Sequence, residues 1–195
     1  MAENKIPIIL ASSSPRRKEL LQGLGVAFSV MPSHADERVE GDVSPGLFVE
    51  TLAQRKAQQV AHSCSVRSLV IGSDTVVVLN GEIMGKPADE DDAFRMLSML
   101  AGNMHEVYTG LCVIDTAGKQ KNGHTATRVF FRELSEERIR RYIATGEPMD
   151  KAGAYGIQGF GSAFVSRIEG DYFSIVGLPL ILVSDFLEEF GVQLF

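Results

Sequence analysis

The sequence predicts an α/β fold built on a mixed sheet, and three observations point to it. Strand-like apolar runs alternate with segments of helical periodicity over most of the 195 residues. Capping residues, prolines and glycines mark most of the transitions between them. No internal repeat, low-complexity tract or Pro/Gly/Ser-rich linker interrupts the chain, so residues 1–195 read as a single domain.

The elements follow in order. Residues 6–11 form a short buried strand that runs into Ser12, Ser13, Ser14 and Pro15, where a serine can cap and the proline can take the first helical position. Leu20, Leu21 and Leu24 give that helix an apolar face, and Gly23 and Gly25 stop it. Residues 26–31 are a second strand, followed by an acidic loop through Asp36, Glu37, Glu40 and Asp42. Ser44 and Pro45 open a helix in which Phe48, Leu52, Ala53, Ala57 and Val60 recur at helical spacing. Residues 69–79 are a strand, and Asn80-Gly81 after it is a dipeptide favoured in tight hairpins. Beyond Pro87, the acidic run from Asp89 to Asp92 occupies the first turn of a helix carrying Ala93, Met96, Leu97 and Leu100, ended by Gly102. Residues 107–114 and 125–131 pair as strands around a turn containing Gly118. Ser135, backed by Glu136 and Glu137, starts a helix that Gly146 closes. A glycine-rich stretch at 151–161 leads to a strand at 163–168, and 179–190 is an apolar C-terminal helix.

Composition excludes several classes. A formal net charge of −6 argues against a general nucleic-acid binder, which would carry a basic surplus. The two cysteines, Cys64 and Cys112, have no CxxC spacing and no histidine pair nearby, so neither a zinc site nor a disulfide framework is indicated. After Met1 to Lys5 comes only a five-residue apolar run, too short for the core of a secretion signal, and no stretch approaches a membrane span. The expectation is a cytoplasmic protein with no membrane partner.

Four stretches carry chemistry, and two further charged residues, Lys56 and Glu37, stand beside them. Ser12, Ser13, Ser14, Pro15, Arg16 and Arg17 join a strand end to a helix start, which offers backbone N–H groups, a positive dipole end and two guanidinium groups to phosphate oxygens; a plain cap with solvated arginines is the equal alternative. Asp74 lies between Gly72-Ser73 and Thr75, where a carboxylate is costly unless it is paired or binds a metal; the alternative is an edge or bulge kinked at Gly72 with Asp74 facing water, and the apolar run that resumes at once favours the first reading. Lys86 sits between Gly85 and Pro87, where an ordinary surface lysine is also a fair reading; the spacing is not that of a P-loop. Lys56 and Glu37, taken locally, read as a solvated helix face and a solvated loop acid. The stretch from Asp150 to Gly159 suggests a backbone that something approaches closely, with Gln158 able to pair with the edge of a base; its alternative is a glycine-rich turn with Tyr155 in the core. The four histidines show no ligand spacing.

Taken in order, residues 10–17, Ser73-Asp74-Thr75, Gly85-Lys86-Pro87 and residues 150–159, with Val176-Gly177-Leu178-Pro179, resemble the Maf family of nucleotide pyrophosphatases almost end to end. The resemblance implies a mixed twisted sheet in two lobes around a central cleft, similar to the inosine triphosphate pyrophosphatase-like fold, with a second lobe at roughly residues 86–146. It implies hydrolysis of a nucleoside triphosphate to the monophosphate and pyrophosphate, with a divalent cation (Mg2+, Mn2+ or Co2+) held by Asp74 and Glu37. Asp74 would be the general base, acting with Lys56, Lys86 and Glu37. Ser12, Ser14, Arg16, Arg17, Thr75 and Gln158 would bind substrate. The family divides at three positions near the base, and Arg16, Thr75 and Gln158 look like the group acting on dTTP and UTP. Family members are often homodimers. The competing readings are the same reaction on 7-methyl-GTP or another modified nucleotide, and a nucleotide-binding regulator of septum formation without turnover.

Overall fold

The structure, a computed structural model, describes residues 6–194; Met1 to Lys5, part of the segment judged too short for a secretion signal, and Phe195 lie outside the described residues. The strands are β1 (Ile8–Leu10), β2 (Ser29–Val30), β3 (Leu69–Leu79), β4 (Glu82–Met84), β5 (Met104–Asp115), β6 (Gln120–Phe131) and β7 (Val165–Glu169). The helices are α1 (Pro15–Gly23), α2 (Pro45–Ala61), α3 (Glu90–Leu100), α4 (Glu136–Ile143), α5 (Tyr172–Val176) and α6 (Leu180–Glu189). Short 3-10 turns fill residues 147–164 between α4 and β7.

The seven strands form one mixed sheet in the order β2-β1-β3-β5-β6-β7, with β4 against β3. The β1–β2 and β1–β3 pairs are parallel, whereas β3–β4 and β6–β7 are antiparallel. By its contacts the chain divides into two compact units. The first holds the described residues up to Asp74, Thr109–Thr125 and those from Gly177 onward; the second holds Thr75–Tyr108 and Ala126–Val176.

Period-two alternation builds the core of the first unit. Ile8, Leu10, Leu69, Ile71, Leu111 and Val113 face one way, packing with Leu21, Val183, Phe186 and Leu187 of α1 and α6. Ile9, Ala11, Val70, Cys112 and Ile114 face the other way, onto Ala53, Ala57 and Val60 of α2. Covering on both faces explains why these strands read as continuous apolar runs. α2 approaches the sheet at two glycines. A Cβ on Gly72 would lie 2.2 Å from the Ala53 carbonyl oxygen, and one on Gly110 2.3 Å from that of Val49.

In the second unit, α3 packs on α4 and on the turns that follow. Its aromatic centre is a set of edge-to-face contacts: Phe131 to Tyr155 at 4.7 Å, Phe131 to His105 at 4.9 Å and Tyr142 to Phe164 at 4.8 Å between ring centroids. His105 is 1% exposed and its Nε2 lies 2.8 Å from the Tyr155 hydroxyl, while its Nδ1 has no hydrogen-bond partner. Burial pushes its pKa down to about 4, so the imidazole is neutral.

The sheet and helices follow the sequence expectation, with differences at the ends. The second strand shrinks to Ser29–Val30, both exposed. The paired strands β5 and β6 extend to twelve residues each. α5, absent from the sequence reading, is a five-residue turn in which the Asp171 carboxylate accepts from the backbone amides of Phe173 and Ser174. Among the described residues no helix is long and apolar enough to cross a membrane.

Candidate active site

Asp74 follows Gly72 by two residues on β3, so its side chain leaves the strand on the face covered by α2. Lys56 follows Ala53 by three residues on α2, almost one turn, and so lies on the helix side that faces β3. The close approach at Gly72 therefore brings the two together: Lys56 Nζ donates to Asp74 Oδ1 at 2.5 Å. The same ammonium lies 2.7 Å from Glu37 Oε1, in the acidic loop. Asp74 and Lys56 have side chains only 12% and 13% exposed, whereas Glu37 is 61% exposed. The pair satisfies the two enclosed charges, and Glu37 joins them from the solvent side.

Ser73 points to the opposite face of β3 and donates from Oγ to the Gly177 carbonyl at 2.9 Å. That carbonyl also accepts from Arg17 Nε at 2.8 Å. Arg17 belongs to the turn from β1 into α1, where Ser14 is the N-cap, accepting from the Arg17 amide, and Pro15 begins the helix. Ser12 Oγ accepts from the Ser14 amide at 3.2 Å and from Arg17 Nη1 at 3.4 Å. Burial pushes the Arg17 guanidinium below its usual value; Asp74 pulls it upward, Arg16 opposes and Glu37 assists. It remains charged, as arginine does in proteins. The influence of Asp74 and Glu37 on Arg17 ties the cap turn electrostatically to the Lys56 cluster. A cationic turn at a helix N-terminus suits phosphate oxygens.

Thr75, Lys86 and Gln158 belong to the second unit. Thr75 is half-buried on β3, while Lys86 and Gln158 are exposed. The glycine-rich stretch is tied to the segment bearing Lys86, because the Gly153 amide donates to the Gly85 carbonyl at 3.0 Å. Gly153 has φ +65°, and a Cβ there would meet Val77 Cγ2 at 2.8 Å. At this glycine the close neighbour is the protein's own β3. Tyr155 is buried, as one of the two sequence readings had it.

Among the described residues no cluster of three or more His, Cys, Asp or Glu could hold a metal. Asp74 and Glu37 nevertheless bring two hard carboxylate donors to one cationic centre, now Lys56. Magnesium-type ions are commonly held by one or two carboxylates plus substrate phosphates, so this donor set fits a divalent cation.

The family model for "Maf-like protein" matches residues 7–190. The chain belongs to the Maf family. A Maf relative from Pelotomaculum thermopropionicum, named dTTP/UTP pyrophosphatase, is 53% identical over 94% of this chain and 96% of its own length. Another of the same name, from Desulforamulus reducens, is 51% identical over 96% of this chain and 98% of its own. Among solved structures, the Ham1 protein of Staphylococcus aureus aligns with a TM-score of 0.50 at 15% identity, over 82% of this chain and 79% of that one. A HAM1 protein from Coxiella burnetii gives 0.50 at 13% identity, over 82% and 80%. This Maf chain thus has the inosine triphosphate pyrophosphatase-like fold that the resemblance implied.

Ser73 and the Gly177 carbonyl are parts of the cap turn's support that residue-level reasoning did not single out. A serine within an apolar strand was the available signal for the first. For a backbone carbonyl 160 positions from its partner there is none.

Proposed function

We propose that this Maf protein is a nucleoside triphosphate pyrophosphatase that hydrolyses dTTP and UTP to the monophosphate and pyrophosphate, with Asp74 as general base. The observation that carries this reading is the meeting of Asp74, Glu37 and Lys56 in the same unit as the Ser12–Arg17 turn. The near-full-length relatives named for this activity support the substrate.

In the proposed reaction the Asp74 carboxylate accepts a proton from water as the water oxygen bonds to the α-phosphorus. The bond from that phosphorus to the bridging oxygen breaks, and the electron pair leaves with pyrophosphate. Lys56 holds the Asp74 carboxylate in place and offsets phosphate charge. Ser12, Ser14 and Arg17 receive phosphate oxygens at the positive end of α1, with Lys86 as a further cation. Arg16, Thr75 and Gln158 select the pyrimidine. Asp74 and Glu37 would hold the divalent ion, Mg2+, Mn2+ or Co2+, which when bound neutralises phosphate charge and acidifies water. Nucleoside triphosphates are pooled in the cytoplasm, where the activity would operate.

Product analysis tests this. Purified protein with Mg2+ or Mn2+ is offered dTTP, UTP, CTP, ATP, GTP and 7-methyl-GTP beside an Asp74→Asn variant. Pyrophosphate and monophosphate from dTTP and UTP are expected, reduced about 10²- to 10⁴-fold in the variant. Release of single phosphates, or undiminished turnover by Asp74→Asn, would refute it.

A further inference from the structure

The segment that carries Gln158 rises from buried Gly156 and Ile157, exposes Gln158, Gly159 and Phe160, and returns to buried Gly161. Phe160 is 68% exposed, so the tip of this excursion has little apolar burial of its own to hold it. Its fixing comes from elsewhere. Glu147, in the turn after α4, accepts from the Phe160 amide at Oε2 (2.9 Å) and from the Gly161 amide at Oε1 (3.0 Å). Glu147 Oε1 also accepts from the Tyr142 hydroxyl at 2.9 Å. That hydroxyl oxygen in turn accepts from the Gly156 amide at 3.2 Å. Two side chains thereby grip both ends of the excursion.

The glycines record how tightly. A Cβ on Gly159, which has φ +73°, would lie 2.6 Å from Glu147 Oε2. One on Gly161 would lie 2.5 Å from the Gly156 carbonyl and 2.9 Å from the Tyr142 hydroxyl. Tyr142 is 4% exposed and its ring is fixed edge-on against Phe164. Partial burial acts to raise the Glu147 carboxyl, but the amides of Gly161 and Phe160, the Tyr142 hydroxyl and Lys151 outweigh it, leaving it below the usual range. It is therefore ionised near neutral pH, the state in which a carboxylate accepts from several donors at once.

We propose that Glu147 and Tyr142 are positioning residues for base recognition: they set the height and direction of the segment bearing Gln158, so selectivity among bases depends on them although the nucleotide contacts neither. The proposal rests on the reading of Gln158 as a base contact.

The test compares kcat and KM for UTP, CTP and GTP in the wild type, Glu147→Gln, Tyr142→Phe and Gln158→Ala, with a circular dichroism spectrum and a melting curve for each. Glu147→Gln puts an amide NH2 where only acceptors fit, and Tyr142→Phe removes the hydroxyl alone. Both are expected to raise the KM for UTP about tenfold, the scale of one lost charge-assisted bond. Both should shrink the preference for UTP over CTP and GTP while kcat stays within about threefold, since Asp74 and Lys56 are untouched. If Glu147→Gln does not fold, Tyr142→Phe decides alone. A uniform loss of activity on all three nucleotides with unchanged selectivity would mean a purely structural role and overturn the proposal. If Gln158→Ala itself leaves selectivity unchanged, the reading of Gln158 falls, and with it this inference. If Gln158→Ala alters selectivity and the other two variants do not, only the positioning role falls.

Discussion

Lys56 and Asp74 meet at 2.5 Å because a glycine lets a helix backbone rest on a strand: the Ala53 carbonyl oxygen occupies the space in which a side chain on Gly72 would lie. Neither charged residue creates that geometry. It is a property of the packing between α2 and β3, and the chemistry is hung on it two residues further along the strand and three along the helix.

Gly72→Ala is therefore expected to damage stability and turnover together. A methyl group 2.2 Å from a backbone oxygen cannot be relieved by a rotamer change, so α2 must shift. The expected cost is about 1–3 kcal/mol of stability, with a loss of turnover that persists at temperatures where the variant is fully folded. Chemical denaturation alongside kcat measures both.

Lys56→Met leaves an enclosed carboxylate without the ammonium it pairs with. Removing one partner of a buried pair costs about 3–5 kcal/mol, and the partial exposure of these side chains places the expected value at or below the lower end. The double variant Lys56→Met/Asp74→Asn should recover part of that loss, because the uncompensated charge is gone. In activity the two changes should be far from additive, since both residues serve one step.

His105 predicts a stability change on the acid side. Its folded pKa, about 4, lies below the usual value of about 6.5, so the unfolded chain takes up a proton first as pH falls. The stabilisation is complete above about pH 6.5 and is lost progressively toward pH 4, up to about 3 kcal/mol from this group. In His105→Gln, the pH dependence of unfolding free energy over that window should be flatter than in the wild type. Parallel curves would show that His105 contributes nothing to it.

Gly153 separates strain from crowding. Gly153→Ala places a methyl group on Val77 and forces an alanine to φ +65°. Val77→Gly in the same chain removes the Cβ (2.9 Å) as well as both γ-methyls, and so should relieve the clash but not the backbone cost of about 1 kcal/mol. Thermal melts of the two single variants and the double variant resolve the two contributions.

Much of this fold was legible in the sequence because the buried strands announce themselves. β3 has the limits read from its apolar run, and α2 was marked by Ser44-Pro45 and its alanine face. β2 was over-read because residues 26–31 are apolar enough for a strand, but only Ser29 and Val30 pair with β1. β5 and β6 were under-read because β6 begins with polar, partly exposed residues such as Gln120 and Lys121, which a search for apolar runs passes over. At the site, Asp74 stood out from its surroundings. Lys56 and Glu37 did not, since what distinguishes them is the meeting of Lys56 with Asp74 across 18 positions of chain and with Glu37 across 19, and only the family resemblance raised them. Glu147 carried no mark at all: a glutamate before a proline gives no hint that three donors will converge on it.

The Gly177 carbonyl, which accepts from both Arg17 and Ser73, has a consequence for biosynthesis. Arg17 leaves the ribosome 160 positions ahead of its acceptor. A nascent chain can form β1 and α1 long before this bond is available, so the cap turn is completed only after residue 177 has emerged. Premature termination anywhere upstream of residue 177 would release a chain whose arginine lacks that anchor, however well its early helices had formed.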